Sequence, residues 1–142
     1  MLVSAILLAA KMSTIVFVCE HGAAKSVVAA AHFNKLAAEK NLPYRAIARG
    51  TEPQPDVALS AANGLRAEGL EPPIAHPLKL TKADIDHATR VITFCELPKE
   101  LPVDRAKSER WDAPATGDGY EKARDVIVAK VRALIAGLDQ KQ

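Results

Sequence analysis

The stretch IVFVCEHGAAKS, residues 15–26, decides the fold. Ile15 to Val18 form a continuous apolar, β-branched run, the pattern of a strand buried on both faces of a parallel sheet. Cys19 closes that run, and the chain must then turn within a few residues into a helix opening at Lys25 and Ser26. Gly22, Ala23 and Ala24 carry little side chain, so N–H groups left without strand partners can converge on an anion at the positive end of the new helix. Gly22 can take the left-handed conformation that such a nest needs. With Glu20 and His21 at its entrance and Lys25 and Ser26 at its end, the loop is a candidate oxyanion cradle. Cys19 at its base is the candidate nucleophile, because converging N–H dipoles and a nearby cation favour a thiolate. Ser26 can hydrogen-bond that sulfur, and Lys25 supplies a cation at the mouth. The competing reading is a small hydrophobe ending a buried strand before an ordinary strand–helix turn, and on spacing alone it is the simpler one.

Outward from this stretch, the elements alternate. Strands are predicted over TIVFV (14–18), YRAIA (44–48), RVITFC (90–95) and SERWDA (108–113). An alanine-rich helix is predicted over 25–41, stopped by Asn41 and Pro43. Residues 56–70 read as a second helix capped by Asp56 and loosened by Gly64, and 81–88 as a short one opened by a capping box at Thr81. The last helix, 119–138, carries Ala123, Val126, Ile127, Val131 and Leu134 on one stripe. This β-α-β-α-α-β-β-α order implies an α/β domain of three layers, helices covering both faces of a four-stranded parallel sheet. Ligands of such sheets bind at the carboxyl ends of the strands, the rim that Cys19 and Cys95 should share.

The chain has 142 residues, 49% of them hydrophobic, enough for one well-cored domain. A net charge of +2 with interspersed signs and 4% aromatic content argues against nucleic acid as a partner. Two distant cysteines and four scattered histidines suit neither a disulfide scaffold nor a metal site, and point to reduced thiols in a cytoplasmic protein. Residues 1–11 include an apolar run without a charged start and too short to span a bilayer, so no membrane is expected. With Met12 just ahead of the first strand, residues 1–11 read as an N-terminal extension or mis-assigned start, or as a short interfacial anchor, and 12–142 as a single domain. His32 reads as a satisfied core or edge histidine and Trp111 as packing at the sheet edge, while His76 and Lys79 lie in a Pro-rich connection able to border the site.

VFVCEHGAAKS resembles the signature of the low-molecular-weight protein tyrosine phosphatases and the arsenate reductases: an apolar strand, Cys, five residues, Arg and Ser. ARGTEP resembles the family's SAGTEP, ATRVITFC the reductase strand ending in cysteine, RWDAPA the Trp-containing segment before the acid loop, and ARDVIVAKV the closing helix. The resemblance implies a flavodoxin-like domain in which Cys19 attacks phosphorus or arsenic, the loop amides and residue 25 bind the oxyanion, and Ser26 stabilises the thiolate. Implied ligands are phosphate, arsenate or a phosphotyrosine-like group. No cofactor is implied, only an external reductant, thioredoxin or a low-molecular-weight thiol, if the reaction is arsenate reduction.

Two departures stand out. The family arginine is Lys25, a point charge where a planar fork grips two oxygens at once. The family's Asp-Pro general acid is missing: aligned on the tryptophan and first proline, its position falls on Ala115, with Asp112 and Asp118 as neighbouring candidates. Both departures imply weakened phosphatase activity. Cys95 matches the reductase cysteine that attacks the nucleophilic one, but the third cysteine of that relay is absent, so Cys95 is either a redox partner or strand-end filler. The alternatives are a phosphate-sensing or phosphoprotein-binding relative without turnover and, less well matched, a cysteine phosphocarrier of the sugar phosphotransferase type.

Overall fold

The computed structural model describes residues 12–140. The proposed extension at 1–11 lies outside the described residues. Strands β1 (Ser13–Cys19), β2 (Tyr44–Gly50), β3 (Ala88–Thr93) and β4 (Ser108–Arg110) form one sheet. Its order is β2-β1-β3-β4 and every pairing is parallel. Helices α1 (Lys25–Glu39), α2 (Leu59–Ala67), α3 (Lys82–His87) and α4 (Tyr120–Asp139) complete the three layers. From β1 the chain steps to β2 and then crosses back to β3 on the other side, so the switch point lies between the carboxyl ends of β1 and β3.

Strand alternation assigns the two faces. Ile15 and Phe17 join Ile92 in a core with Val27, Phe33, Leu65, Ile127 and Val131 from the helices. Val16 and Val18 point the other way, onto Leu80, Ile85 and Val91. All of β1 from Ile15 to Cys19 is buried, which is why its sequence is apolar without interruption. In α4 the stripe runs Ala123, Ile127, Val131, Ile135 and Leu138, with Val126 and Leu134 half-buried at its margins.

Local signals account for most boundaries. Asn41 turns left-handed at φ 53°, and Leu42 N–H donates to Ala37 O at 2.9 Å, closing α1 where its stop was expected. Thr81 and Asp84 form both bonds of the capping box. Three predicted boundaries shift. α2 begins at Leu59 rather than Asp56, because residues 51–58 are spent along the Cys19 loop, and Asp56 is exposed. The third strand runs 88–93 instead of 90–95, since α3 passes directly into extended backbone at Ala88. β4 stops at Arg110 because Trp111 turns inward, its ring 5.6 Å from Phe17 and 6.0 Å from Phe94. Gly64 does not merely loosen α2: a Cβ there would overlap the Tyr120 ring, so the glycine seats that ring.

Candidate active site

β1 carries Cys19 to the sheet's carboxyl rim, 8% exposed, and α1 brings Ser26 beneath it, fully buried. Cys19 Sγ and Ser26 Oγ share a hydrogen bond of 3.1 Å. The loop between them is held from outside by its own carbonyls. Those of Cys19, Glu20, His21 and Ala23 accept from the N–H groups of Thr51, Glu52, Gln54 and Ala58 at 3.2, 2.7, 3.2 and 3.0 Å. The N–H groups of residues 20–25 take part in none of the backbone hydrogen bonds found among the described residues beyond regular strands and helices. With these four carbonyls turned toward residues 51–58, the loop amides are left to converge on the other side, which is the arrangement an anion nest requires. No side chain caps the N-terminus of α1, leaving its first-turn donors for a ligand.

Two glycines make this possible. Gly22 sits at φ +62°, and a Cβ on it would come within 2.8 Å of Gly50 N. A Cβ on Gly50 would come within 2.6 Å of Gly22 N. The loop therefore lies back to back with the end of β2. Sequence reasoning quoted Gly50 only within ARGTEP and missed this function; a glycine directly after a strand and before a loop was the available signal.

A pocket of about 260 Å³ opens above Cys19, lined by Glu20, His21, Ala23, Ala24, Lys25, Gln54, Ala58, Phe94 and Cys95. Lys25 is half-buried and has no ion-pair partner among the described residues, so its ammonium is available at the mouth. Glu20 and His21 are exposed, and His21 Nδ1 lies 3.3 Å from Glu52 O, which turns the ring toward the 51–58 segment. Cys95 reaches the same pocket from just past β3 and is half-buried. Burial pushes its thiol above the ordinary range, Cys19 and Glu20 adding to the rise while the Thr51 hydroxyl and Arg110 oppose it.

The structure does not bring the acid candidates to this pocket. Asp112 and Asp118 are exposed and neither lines it. The residue directly before Pro114 is Ala113, which corrects the acid position from Ala115 to Ala113. Lys79 borders an adjoining groove, whereas His76 lines neither cavity. His32 is buried but not satisfied: its Nε2 lies 3.3 Å from Glu68 Oε2 without hydrogen-bond alignment. Glu68, just past α2, accepts instead from Tyr120 Oη at 2.5 Å and from Arg124 at 2.8 Å, tying the end of α2 to α4.

No family model matches the chain, and no curated protein matches its sequence. Solved structures do. An arsenate reductase from Archaeoglobus fulgidus is 26% identical with a TM-score of 0.70, over 86% of this chain and 98% of that one. The arginine phosphatase YwlE of Bacillus subtilis, solved with a phosphorylated active-site serine, is 18% identical with a TM-score of 0.80, over 91% and 97%. A low-molecular-weight protein tyrosine phosphatase from T. tengcongensis is 17% identical with a TM-score of 0.73, over 88% and 99%. The chain therefore shares the fold of these phosphatases and arsenate reductases.

Proposed function

We propose that this protein binds a tetrahedral oxyanion in the 19–26 loop and acts on it through Cys19, with thiol-coupled reduction of arsenate as its best-fitting reaction. The observation that carries this reading is the pocket itself: Cys19, Cys95 and Lys25 line it, and Asp112 does not. Hydrolysis of an aryl phosphate needs a proton delivered to the leaving oxygen, and a positioned acid is worth about 10²–10⁴-fold in rate. Reduction makes a different demand. Cys19 sulfur attacks arsenic and an oxygen leaves as water, giving a Cys19–arsenic bond. Cys95 sulfur, deprotonated, then attacks Cys19 sulfur; the electron pair of the sulfur–arsenic bond stays with arsenic, which leaves as arsenite. Two thiols are oxidised to one disulfide and arsenic gains two electrons. An external thiol, from a thioredoxin-like protein or a small molecule, must reopen the disulfide.

The experiment measures arsenite formation with excess thiol for wild type, Cys19→Ser and Cys95→Ser, alongside aryl-phosphate hydrolysis. Loss of arsenite formation in both variants, with feeble phosphatase activity in wild type, is expected. Unchanged arsenite formation in Cys95→Ser, or robust aryl-phosphate turnover dependent on Cys19 alone, overturns the reading. A second reading, an oxyanion sensor without turnover, is favoured by Lys25 in place of an arginine fork; phosphate binding with neither activity would select it.

A further inference from the structure

Beside the Cys19 pocket lies a larger groove of about 820 Å³ that shares Glu20 and Cys95 with it. Its charged lining is one-sided: carboxylates of Glu20, Glu52, Glu96 and Glu100 against the single ammonium of Lys79. All four glutamates are exposed, and among the described residues none has an ion-pair partner. The groove therefore carries net negative charge where the half-buried Cys95 borders it.

We propose that this groove receives the reducing thiol, that the thiol attacks Cys95 rather than Cys19, and that the groove selects reductants carrying positive charge near their sulfur. The inference rests on the thiol-coupled reading above. Thiol–disulfide exchange favours the accessible sulfur as the point of attack and the better-stabilised thiolate as leaving group. Cys95 is the accessible one, whereas Cys19 is 8% exposed and its sulfur is hydrogen-bonded by Ser26 at 3.1 Å. In the step, a reductant thiolate forms a bond to Cys95 sulfur and Cys19 departs as thiolate with the electron pair of the broken bond. A second reductant thiolate then attacks the mixed disulfide, releasing Cys95 and the oxidised reductant. Four carboxylates around the approach raise the local concentration of a cationic thiol and lower that of an anionic one.

The test uses the full chain, oxidised first to the Cys19–Cys95 disulfide and verified by mass and thiol count. Reduction rates are measured with cysteamine, mercaptoethanol and mercaptopropionate, each expressed per thiolate. The expected order is cationic, neutral, anionic, with a spread of about 10- to 100-fold at low salt that collapses near 1 M salt. Glu96→Gln with Glu100→Gln should compress that spread while the neutral thiol keeps its rate. Quenched adducts should map to Cys95. Rates independent of charge, a spread unaltered by the two substitutions, or adducts on Cys19 overturn the proposal while leaving arsenate reduction intact. Failure of the disulfide to form removes the thiol-coupled reading itself, and this inference with it.

Discussion

Replacing Gly50 by alanine isolates the contact on which the oxyanion loop rests. The new Cβ would stand 2.6 Å from Gly22 N, 2.9 Å from Gly22 Cα and 2.9 Å from His21 C. Ordinary contacts of this kind begin at about 3.5 Å, so the loop must retreat by about 0.6–0.9 Å. All three opposing atoms are backbone, and no change of rotamer relieves them. The retreat pulls directly on the bonds from Thr51, Glu52 and Gln54 to the loop carbonyls, at 3.2, 2.7 and 3.2 Å. Overpacking of this kind costs about 1–3 kcal/mol, and each hydrogen bond lost adds about 0.5–1.5 kcal/mol. We expect Gly50→Ala to lose about 2–4 kcal/mol, a fall in Tm of roughly 6–15 °C for a domain of this size. Amides displaced from the anion should weaken phosphate by about 10-fold or more, since 1.4 kcal/mol is tenfold. Gly137→Ala is the control: nothing lies within 4 Å of its Cβ position on exposed helix, so it should gain up to about 1 kcal/mol. Scanning calorimetry with and without phosphate reads both quantities. A Gly50→Ala protein with wild-type Tm and wild-type phosphate affinity would refute the back-to-back account of the loop.

Other outcomes follow from the same geometry. Lys25→Arg combined with Ala113→Asp should raise aryl-phosphate kcat/KM by about 10-fold or more, through a bidentate grip and a restored acid; no gain from the pair would mean that residues 25 and 113 do not stand where the chemistry occurs. Burial raises the Cys95 thiol, and only its thiolate attacks Cys19, so the rate of arsenate-driven disulfide formation should keep climbing with pH above the usual thiol range. A rate already half-maximal at or below about pH 8.5, the ordinary thiol value, would contradict that. Burial holds His32 below the ordinary imidazole value, the pull of Glu68 notwithstanding, so the folded state binds fewer protons than the unfolded one. Stability present above about pH 6.5 should therefore decline on acidification. Glu68 is also lowered: burial raises it, but the Tyr120 and Arg124 hydrogen bonds outweigh that, so the decline continues through the carboxylate range. Urea midpoints read this, and His32→Leu should flatten the upper part of the curve; a wild-type midpoint that rises between pH 7 and about 5.5 would reverse the sign.

Much of the fold is legible in the chain because its signals are local. The unbroken apolar run 15–18, the Asn41 stop and the Thr81 capping box each act within a few residues, and each stands where expected. The boundaries that shifted depend on partners far away in sequence. Asp56 lost its cap because residues 51–58 serve the Cys19 loop, and the strand before Trp111 is cut short by aromatic packing onto Phe17 and Phe94. Gly64 reads locally as a helix weakness, whereas the Tyr120 ring, far along the chain, fills the space beside it.

The residues of the site divide in the same way. Strand, cysteine, small-residue turn, serine and helix start follow one another in twelve positions, so their local geometry was readable from residues 15–26 alone. The pairing of Gly22 with Gly50, the shared pocket of Cys19 and Cys95, and the acidic groove at Cys95 join elements that only the parallel crossover brings side by side. Hydrogen-bonding and steric preferences of the backbone act between near neighbours and write themselves into sequence patterns. Which distant residues face one another is decided by how helices and strands bury their apolar faces, and that is a property of the packed chain.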